Sequence, residues 1–209
     1  MSSPRLHQTD QPEQIHMALD GIDFLLHQTG KSAGLARNDL LKIMKFLTLM
    51  RHAKSSWHHE GVKDFDRPLN NRGLRDAPIV AQHLSDQNLQ PDLLWISPAE
   101  RARQTAAIVL EKLAIPEEQI CYKEEIYDAG LLQLLHLIRQ APESAEYVMM
   151  IGHNPGFSDL ACILNPRQDR NLVTGAVVHL QLDIGSWKAI NKACATTLWQ
   201  AWPKMLSKD

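Results

Sequence analysis

Short apolar runs alternate along this chain with stretches in which apolar residues recur at helical spacing. Apolar runs of strand length without polar alternation are typical of strands buried on both faces, whereas recurrence every three to four residues predicts helices. The expected strands are residues 46–50, 93–96, 120–122, 147–151, 176–182 and 198–202. The expected helices are residues 71–84, 102–113, 131–140 and 156–164. This alternation predicts an α/β fold, with a mainly parallel central sheet and helices on both of its faces.

The first 43 residues differ from the rest of the sequence because they are rich in Gln, His and Asp. Four apolar residues spaced by four and three fall on one helical face: Ile15, Leu19, Ile22 and Leu26. We therefore expect an N-terminal extension of one helix and a linker over residues 1–43, and the main domain over residues 44–209. An alternative stays open, in which Met44 is the natural start and the stretch before it is an artefact of start assignment.

Composition is that of an ordinary globular protein. The chain has 209 residues, of which 44% are hydrophobic and 22% charged, and its formal net charge is −2. This balance gives no support for nucleic-acid binding, for which a basic face is expected. No apolar run approaches the length of a membrane span, and the N-terminus lacks the pattern of a secretory signal. The three cysteines lie far apart, which is typical of a reducing compartment, so we expect a cytoplasmic protein that binds neither nucleic acid nor membrane.

Polar side chains follow four of the expected strands, at the points where the strands end. Arg51 and His52 follow the first strand and Arg101 follows the second. Glu125 follows the third strand and His153 the fourth. Carboxyl ends of parallel strands meet at one edge of a sheet, where ligands bind in such folds. Each residue alone has an ordinary structural explanation, but their convergence at one edge predicts a functional site.

This set of side chains suits phosphoryl transfer without a metal ion. A neutral imidazole is a good nucleophile towards phosphorus, and the guanidiniums of Arg51 and Arg101 are expected to keep His52 neutral. Each guanidinium can also bind phosphate oxygens through bidentate hydrogen bonds and stabilise the negative charge of the transition state. His153 is expected to donate to another phosphate oxygen, and Ser97 to add to an anion site at the start of a helix. Because side chains supply all the cations, no metal and no cofactor are expected.

Four stretches carry these residues: LMRHAKSSW at 49–57, DRPLN at 66–70, SPAERARQT at 97–105 and GHNP at 152–155. Taken together, they resemble the histidine phosphatase superfamily, in the branch that includes the phosphoglycerate mutases. More narrowly, the sequence is similar to the small SixA-type phosphohistidine phosphatases, from about Lys45 to the C-terminus. The resemblance implies a phosphoglycerate mutase-like fold.

The resemblance also implies roles for particular residues. It implies that His52 becomes phosphorylated and that water then releases the phosphate. By position, it implies that the phosphate pocket consists of Arg51, Arg101 and His153. Arg67 is expected to line the entrance of the pocket, and a structural role in fixing the loop before the helix is an equal alternative.

Glu125 stands where larger relatives have a proton donor for the leaving group. An imidazole leaves more easily than an alkoxide, so a phosphohistidine phosphatase depends less on such an acid. The role of Glu125 as an acid is therefore the open part of the implied site. The sequence also has Ala53 where the superfamily usually has Gly, a variant familiar in the SixA-like group.

We therefore expect a metal-independent phosphatase that forms a phosphohistidine intermediate and acts on phosphohistidine in another protein, with phosphotransfer proteins as candidate partners. The core lacks the long insertions that would cover a pocket for a small sugar phosphate. Two alternatives stay open. One is a phosphatase or mutase for a small phosphorylated metabolite, and the other is a non-catalytic regulatory module that binds phosphate.

Overall fold

The computed structural model describes residues 44–56, 61–168 and 171–207. Strands and helices alternate there in the order predicted from the sequence. The strands are β1 (Lys45–Arg51), β2 (Leu93–Ile96), β3 (Ile120–Tyr122), β4 (Tyr147–Gly152), β5 (Val177–Leu182) and β6 (Ala195–Ala201). The helices are α1 (Asn71–Asp86), α2 (Glu100–Leu110), α3 (Leu131–Ile138), α4 (Gly156–Leu164) and the short α5 (Pro203–Leu206). The helix predicted within residues 1–43 lies outside the described residues.

The strands form one sheet with the order β3-β2-β4-β1-β5-β6. The first four in this order are mutually parallel, whereas β5 is antiparallel to β1 and β6 is antiparallel to β5. Parallel neighbours require a crossover, and the helices between β1 and β4 supply the crossovers. No α-helix separates β5 from β6, which is consistent with antiparallel pairing. The predicted α/β class with a mainly parallel sheet is confirmed.

Apolar side chains of the sheet pack against helices on both faces. On one face, Leu49 belongs to a buried cluster with Leu134 of α3 and Phe157 of α4. On the other face, the neighbouring Met50 belongs to a cluster with Val80 of α1 and Val109 of α2. Successive side chains of a strand point to opposite faces, so consecutive apolar residues in β1 serve two cores. No helix in the described part of the chain is long and apolar enough to cross a membrane.

The start of α1 fixes the chain segment that follows β1. Asn70 caps the helix, since its side chain accepts a hydrogen bond of 2.9 Å from the backbone N–H of Gly73. The backbone N–H of Asn70 donates to the carbonyl oxygen of Lys54. A side chain on Gly73 would place Cβ 2.2 Å from that same oxygen, so only glycine allows this close approach. Leu74, in the first turns of α1, is half exposed.

Candidate active site

The ends of two adjacent parallel strands bring two histidines together. Arg51 of β1 pairs with Gly152 of β4, and each strand is followed directly by a histidine. The backbone N–H of His52 donates to the carbonyl oxygen of Gly152 at 3.0 Å. The rings of His52 and His153 lie 5.1 Å apart between centroids. The sheet edge predicted from the sequence thus brings these residues within reach of one ligand.

Hydrogen bonds define which nitrogen of His52 carries the proton. Its Nδ1 lies 2.7 Å from the carbonyl oxygen of Ala53. A carbonyl oxygen only accepts, so Nδ1 carries the proton and donates. The other ring nitrogen, Nε2, accepts from the Nε of Arg101 at 3.3 Å. His52 therefore presents an unprotonated Nε2, the form required of a nucleophile.

Burial is the largest reason for the low pKa of both histidines. Burial and, to a smaller extent, the charges of His153, Arg101 and Arg51 together lower the pKa of His52 to about 3, and the hydrogen bond to Ala53 opposes them. Burial and the charge of Arg101 likewise lower the pKa of His153 to about 3. From the sequence, the guanidiniums are the expected cause of a neutral His52. In the structure, they lower the pKa of His52 less than burial does.

Both predicted arginines reach the site, and each is held by protein groups. Arg51 donates from Nη1 to the carbonyl oxygen of Leu172 at 2.8 Å. Arg101, which is buried, donates from Nη1 to the carbonyl oxygen of Asp64 at 2.6 Å and from Nη2 to the Asp64 carboxylate at 2.9 Å. These contacts fix the guanidiniums before any ligand binds, which is the preorganisation that oxyanion stabilisation requires.

Ser97 lies behind His153 rather than in the cavity. Its side chain is fully buried, and its Oγ lies 2.7 Å from Nε2 of His153. The Nδ1 of His153 is buried and has no partner among the described residues, and the same is true of Nε of Arg51. The serine therefore orients the imidazole, and Nδ1 is the ring atom available to a ligand. This geometry does not favour the direct phosphate contact predicted for Ser97.

These residues surround one cavity of about 490 Å³. Its lining combines the predicted cations with several residues that the sequence did not point to. The lining residues are Arg51, His52, Lys54, Ser55, Asp64, Arg67, Arg101, Tyr127, Asp128, His153, Asn154 and Thr174. Among the described residues, no group of three or more His, Cys, Asp or Glu side chains is placed to hold a metal ion.

Arg67 combines the two roles that were considered for it. It lines the cavity, as expected of a residue at the entrance. It also donates from Nη2 to Oγ of Ser55 at 3.0 Å and forms an ion pair of 3.1 Å with Asp64. Arg67 therefore fixes the loop after β1 and contributes positive charge to the cavity.

Asp64 is the main site residue that sequence reasoning missed. It lies in a short 3₁₀ helix, Asp64–Asp66, and its carboxylate contacts Arg67, Arg101 and the hydroxyl of Tyr127. The available signal was its position three residues before Arg67, where an opposite charge forms an ion pair across one turn. Arg101 approaches from a distant part of the chain, which no local pattern encodes.

The structure places Glu125 away from the cavity. It lies in a second 3₁₀ helix, Glu124–Ile126, where it is exposed and does not line the cavity. The residues that reach the cavity from this segment are Tyr127 and Asp128. Asp128 is exposed and borders the site. Among the described residues, Glu125 thus forms no hydrogen bond or ion pair with His52, Arg51 or Arg101.

Comparisons with known proteins place this chain in a family. The family model of the histidine phosphatase superfamily (branch 1) matches residues 47–126. An uncharacterized protein of Mycobacterium tuberculosis (strain ATCC 25618 / H37Rv) is 30% identical over 156 residues, which cover 70% of this chain and 94% of that protein.

Solved structures with a similar fold are also found. A protein from Nakamurella multipartitia, named for the phosphohistidine phosphatase SixA, is 27% identical with a TM-score of 0.65, covering 77% of this chain and 96% of that chain. A protein histidine phosphatase SixA solved with tungstate is 23% identical with a TM-score of 0.66, covering 78% and 99%. This second similarity concerns the fold alone.

Proposed function

This chain belongs to the histidine phosphatase superfamily and is of the SixA type, and on that premise we propose that it hydrolyses phosphohistidine in other proteins. The proposed reaction passes through a phosphoryl group bound covalently to Nε2 of His52. The superfamily consists of phosphatases and mutases. Membership therefore supports phosphatase activity through a histidine mechanism. The substrate and the roles of individual residues are the proposal.

One observation carries the mechanism, namely the pair of hydrogen bonds made by His52. Its Nδ1–H donates to the carbonyl oxygen of Ala53, and its Nε2 accepts from Arg101. The lone pair of Nε2 is thus directed towards the guanidinium that would bind a phosphoryl oxygen. His52 thus has the tautomer required of a nucleophile, and it lies beside the guanidinium that would bind the phosphoryl group. This arrangement supports attack of Nε2 on phosphorus.

In the first step, the lone pair of Nε2 forms a bond to phosphorus while the bond from phosphorus to the substrate imidazole breaks. The electron pair of the broken bond goes to the leaving nitrogen. Arg51 and Arg101 stabilise the charge on the transferred oxygens, and Nδ1 of His153 donates to one of them. His52 keeps its proton on Nδ1, which donates a hydrogen bond to the carbonyl oxygen of Ala53. The phosphorylated ring therefore stays a good leaving group for the second step.

In the second step, a water oxygen forms a bond to phosphorus and the bond to Nε2 of His52 breaks. The electron pair returns to Nε2, which restores the neutral ring. The proton lost by water passes to the released phosphate or to solvent. In each step the leaving nitrogen belongs to an imidazole ring. When the other nitrogen of that ring carries a proton, the leaving nitrogen needs no proton donor.

Two features favour a phosphohistidine substrate over an alkyl phosphate. An alkoxide leaving group needs a proton donor, and Glu125, the predicted donor, is exposed and outside the cavity. The similar structure from Nakamurella multipartitia also bears the name of a phosphohistidine phosphatase. We propose the same substrate class for this chain, with a phosphotransfer protein as the candidate partner.

The test replaces His52 and measures phosphate release from a phosphohistidine protein and from p-nitrophenyl phosphate. We expect His52→Ala to abolish turnover of both substrates. The matched control is His136→Ala, because His136 is exposed on α3 and lies outside the cavity. We expect the control to retain wild-type activity. Unchanged turnover in His52→Ala would refute the mechanism.

Rapid quench with ³²P-labelled substrate separates the proposal from its alternatives. We expect an acid-labile phosphoenzyme in the wild type and none in His52→Ala. Transfer of the label to a second hydroxyl compound instead of water would indicate a mutase. Tight binding of phosphate or phosphopeptide without any turnover would indicate a non-catalytic module.

A further inference from the structure

Of the two carboxylates that line the cavity, that of Asp64 is held by three partners. The Oδ2 of Asp64 accepts from Nη2 of Arg101 at 2.9 Å and from the hydroxyl of Tyr127 at 3.0 Å. Its Oδ1 lies 3.1 Å from Nη1 of Arg67. The side chain is nevertheless 52% exposed, so it lies at the open side of the cavity. The position of this carboxylate is therefore well defined and accessible to a ligand.

Arg101 connects this carboxylate to the nucleophile. Its Nε contacts Nε2 of His52, whereas Nη1 and Nη2 at the other end of the guanidinium hold Asp64. In phosphoryl transfer, the attacking and leaving atoms lie roughly in line on opposite sides of phosphorus. With attack from His52, the leaving group departs on the side of phosphorus away from Nε2. Asp64 is bound to the end of the Arg101 guanidinium opposite the one that contacts His52.

The leaving group of a phosphohistidine has a second ring nitrogen. When this nitrogen carries a proton, the ring leaves as neutral imidazole, but without the proton it must leave as an imidazolate anion, a far poorer leaving group. The reference pKa of histidine is about 6.5, so the protonated form needs support at neutral pH. A carboxylate that accepts a hydrogen bond from this N–H favours the protonated, cationic ring.

We propose, on the basis of the proposed function, that Asp64 selects phosphohistidine over phosphate monoesters by accepting a hydrogen bond from the second ring nitrogen of the leaving imidazole. In the step, Nε2 of His52 bonds to phosphorus, the substrate P–N bond breaks, and its electron pair stays on the leaving nitrogen. The proton on the other ring nitrogen stays there throughout, and the product is neutral imidazole. Asp64 donates and receives no proton.

The same carboxylate disfavours a monoester. Burial raises the pKa of Asp64, but the charge of Arg101 and the hydrogen bond from Tyr127 lower the pKa below its ordinary value. Asp64 is therefore ionised at neutral pH and has no proton to give to an alkoxide.

Other acidic residues near the cavity fit this role less well. Asp128 borders the cavity, but it forms no hydrogen bond or ion pair with Arg101 or His52 in the described structure. Asp66 lies in the same 3₁₀ helix as Asp64, where it is exposed and does not line the cavity. Asp66 therefore provides a matched control for the removal of one charge from this segment.

The test compares two substrates in the same enzyme preparations. The variants are Asp64→Asn and the control Asp66→Asn, and the quantity is the ratio of kcat/KM for a phosphohistidine protein to kcat/KM for p-nitrophenyl phosphate. Nitrophenolate leaves without a proton and carries no N–H, so its ester reports attack and phosphate binding alone. We expect Asp64→Asn to lower the ratio about 10- to 100-fold, the range for loss of a hydrogen bond to a charged group. We expect Asp66→Asn to leave the ratio unchanged.

The ratio is independent of the fraction of folded enzyme, because both rates scale with that fraction. An unchanged ratio in Asp64→Asn would overturn the inference, since equal loss on both substrates means that Asp64 only orients Arg101. The same selective loss in Asp66→Asn would also overturn it. A wild-type enzyme that releases no phosphate from phosphohistidine would instead refute the proposed function itself.

Discussion

The protonation state of His52 leads to the most direct prediction. In the free enzyme we expect a neutral ring with the proton on Nδ1, and this state persists far below the ordinary pKa of histidine. Burial of the ring is the largest cause of the low pKa of His52, and the charge of Arg101 acts in the same direction. The hydrogen bond to Ala53 fixes the tautomer but raises the pKa. A carbonyl oxygen and a guanidinium N–H leave only one tautomer with both contacts satisfied.

The magnitude follows from the two pKa values of His52. The fall from 6.5 to about 3 corresponds to about 5 kcal/mol in favour of the neutral ring. At pH 5 a histidine with the reference pKa is about 97% protonated, whereas His52 is only about 1% protonated. Below pH 6.5 the unfolded chain therefore binds a proton that the folded protein does not bind. The stabilisation is fully present above pH 6.5 and is lost as the pH falls towards about 3.

Two measurements check this prediction. Long-range ¹H–¹⁵N correlation spectra of the imidazoles, assigned with His52→Asn, report the tautomer and the titration midpoint. Urea unfolding of the same two proteins at pH 7 and pH 5 reports the linkage. We expect His52→Asn to reduce the acid-induced loss of unfolding free energy by about 2 kcal/mol over this range. A midpoint near 6.5, or a proton on Nε2, would refute the reasoning.

Three further substitutions test the surroundings of the site. Ser97→Ala removes the partner of Nε2 of His153, so we expect kcat for p-nitrophenyl phosphate to fall about 5- to 100-fold with an unchanged circular dichroism spectrum; wild-type kcat would contradict this role. Gly73→Ala places a methyl group against the carbonyl oxygen of Lys54, so we expect it to lower the unfolding free energy by about 1–3 kcal/mol in urea titrations, and full stability would argue against the close approach. Glu125→Gln changes an exposed residue outside the cavity, so we expect kcat/KM within about twofold of wild type, whereas a tenfold loss would support Glu125 as the general acid.

Much of the fold was predictable because its strands are buried on both faces. Leu49 and Met50 are adjacent and fully buried, and they serve opposite cores. Such strands lack polar alternation, and this separates them clearly from the amphipathic helices between them. Strand ends follow from the same pattern, so the placement of His52 and His153 at one sheet edge was predictable too.

The position of Asp64 was not predictable from the sequence in the same way. Its backbone lies in an exposed 3₁₀ helix, and its contact with Arg101 joins residues that are distant in sequence. Local patterns encode secondary structure and the side on which a residue lies, but they do not encode which long side chain reaches a loop. Glu125 illustrates the same limit, since its expected role came from its position relative to larger relatives and not from any contact.

The cause of the low pKa of His52 was likewise beyond the sequence. Arg51 and Arg101 are evident in the motifs, so the sequence predicts their charges as the main influence on the pKa of His52. The extent of burial depends on packing of the segments around the ring, which include the loop tied to α1. The direction of the effect was nevertheless right, because burial and nearby positive charge both disfavour an imidazolium.

The site has opposite electrostatic requirements at its two ends, and Arg101 belongs to both. Near His52, positive charge must receive the phosphoryl oxygens, whereas negative charge on the leaving-group side suits a cationic ring. Asp64 supplies that charge and also fixes the guanidinium of Arg101, so its removal weakens both ends together. Absolute rates of Asp64 variants therefore combine two effects and cannot separate them. Only the preference between P–N and P–O substrates reports the leaving-group end alone, because a displaced Arg101 impairs the phosphoryl end of every substrate alike.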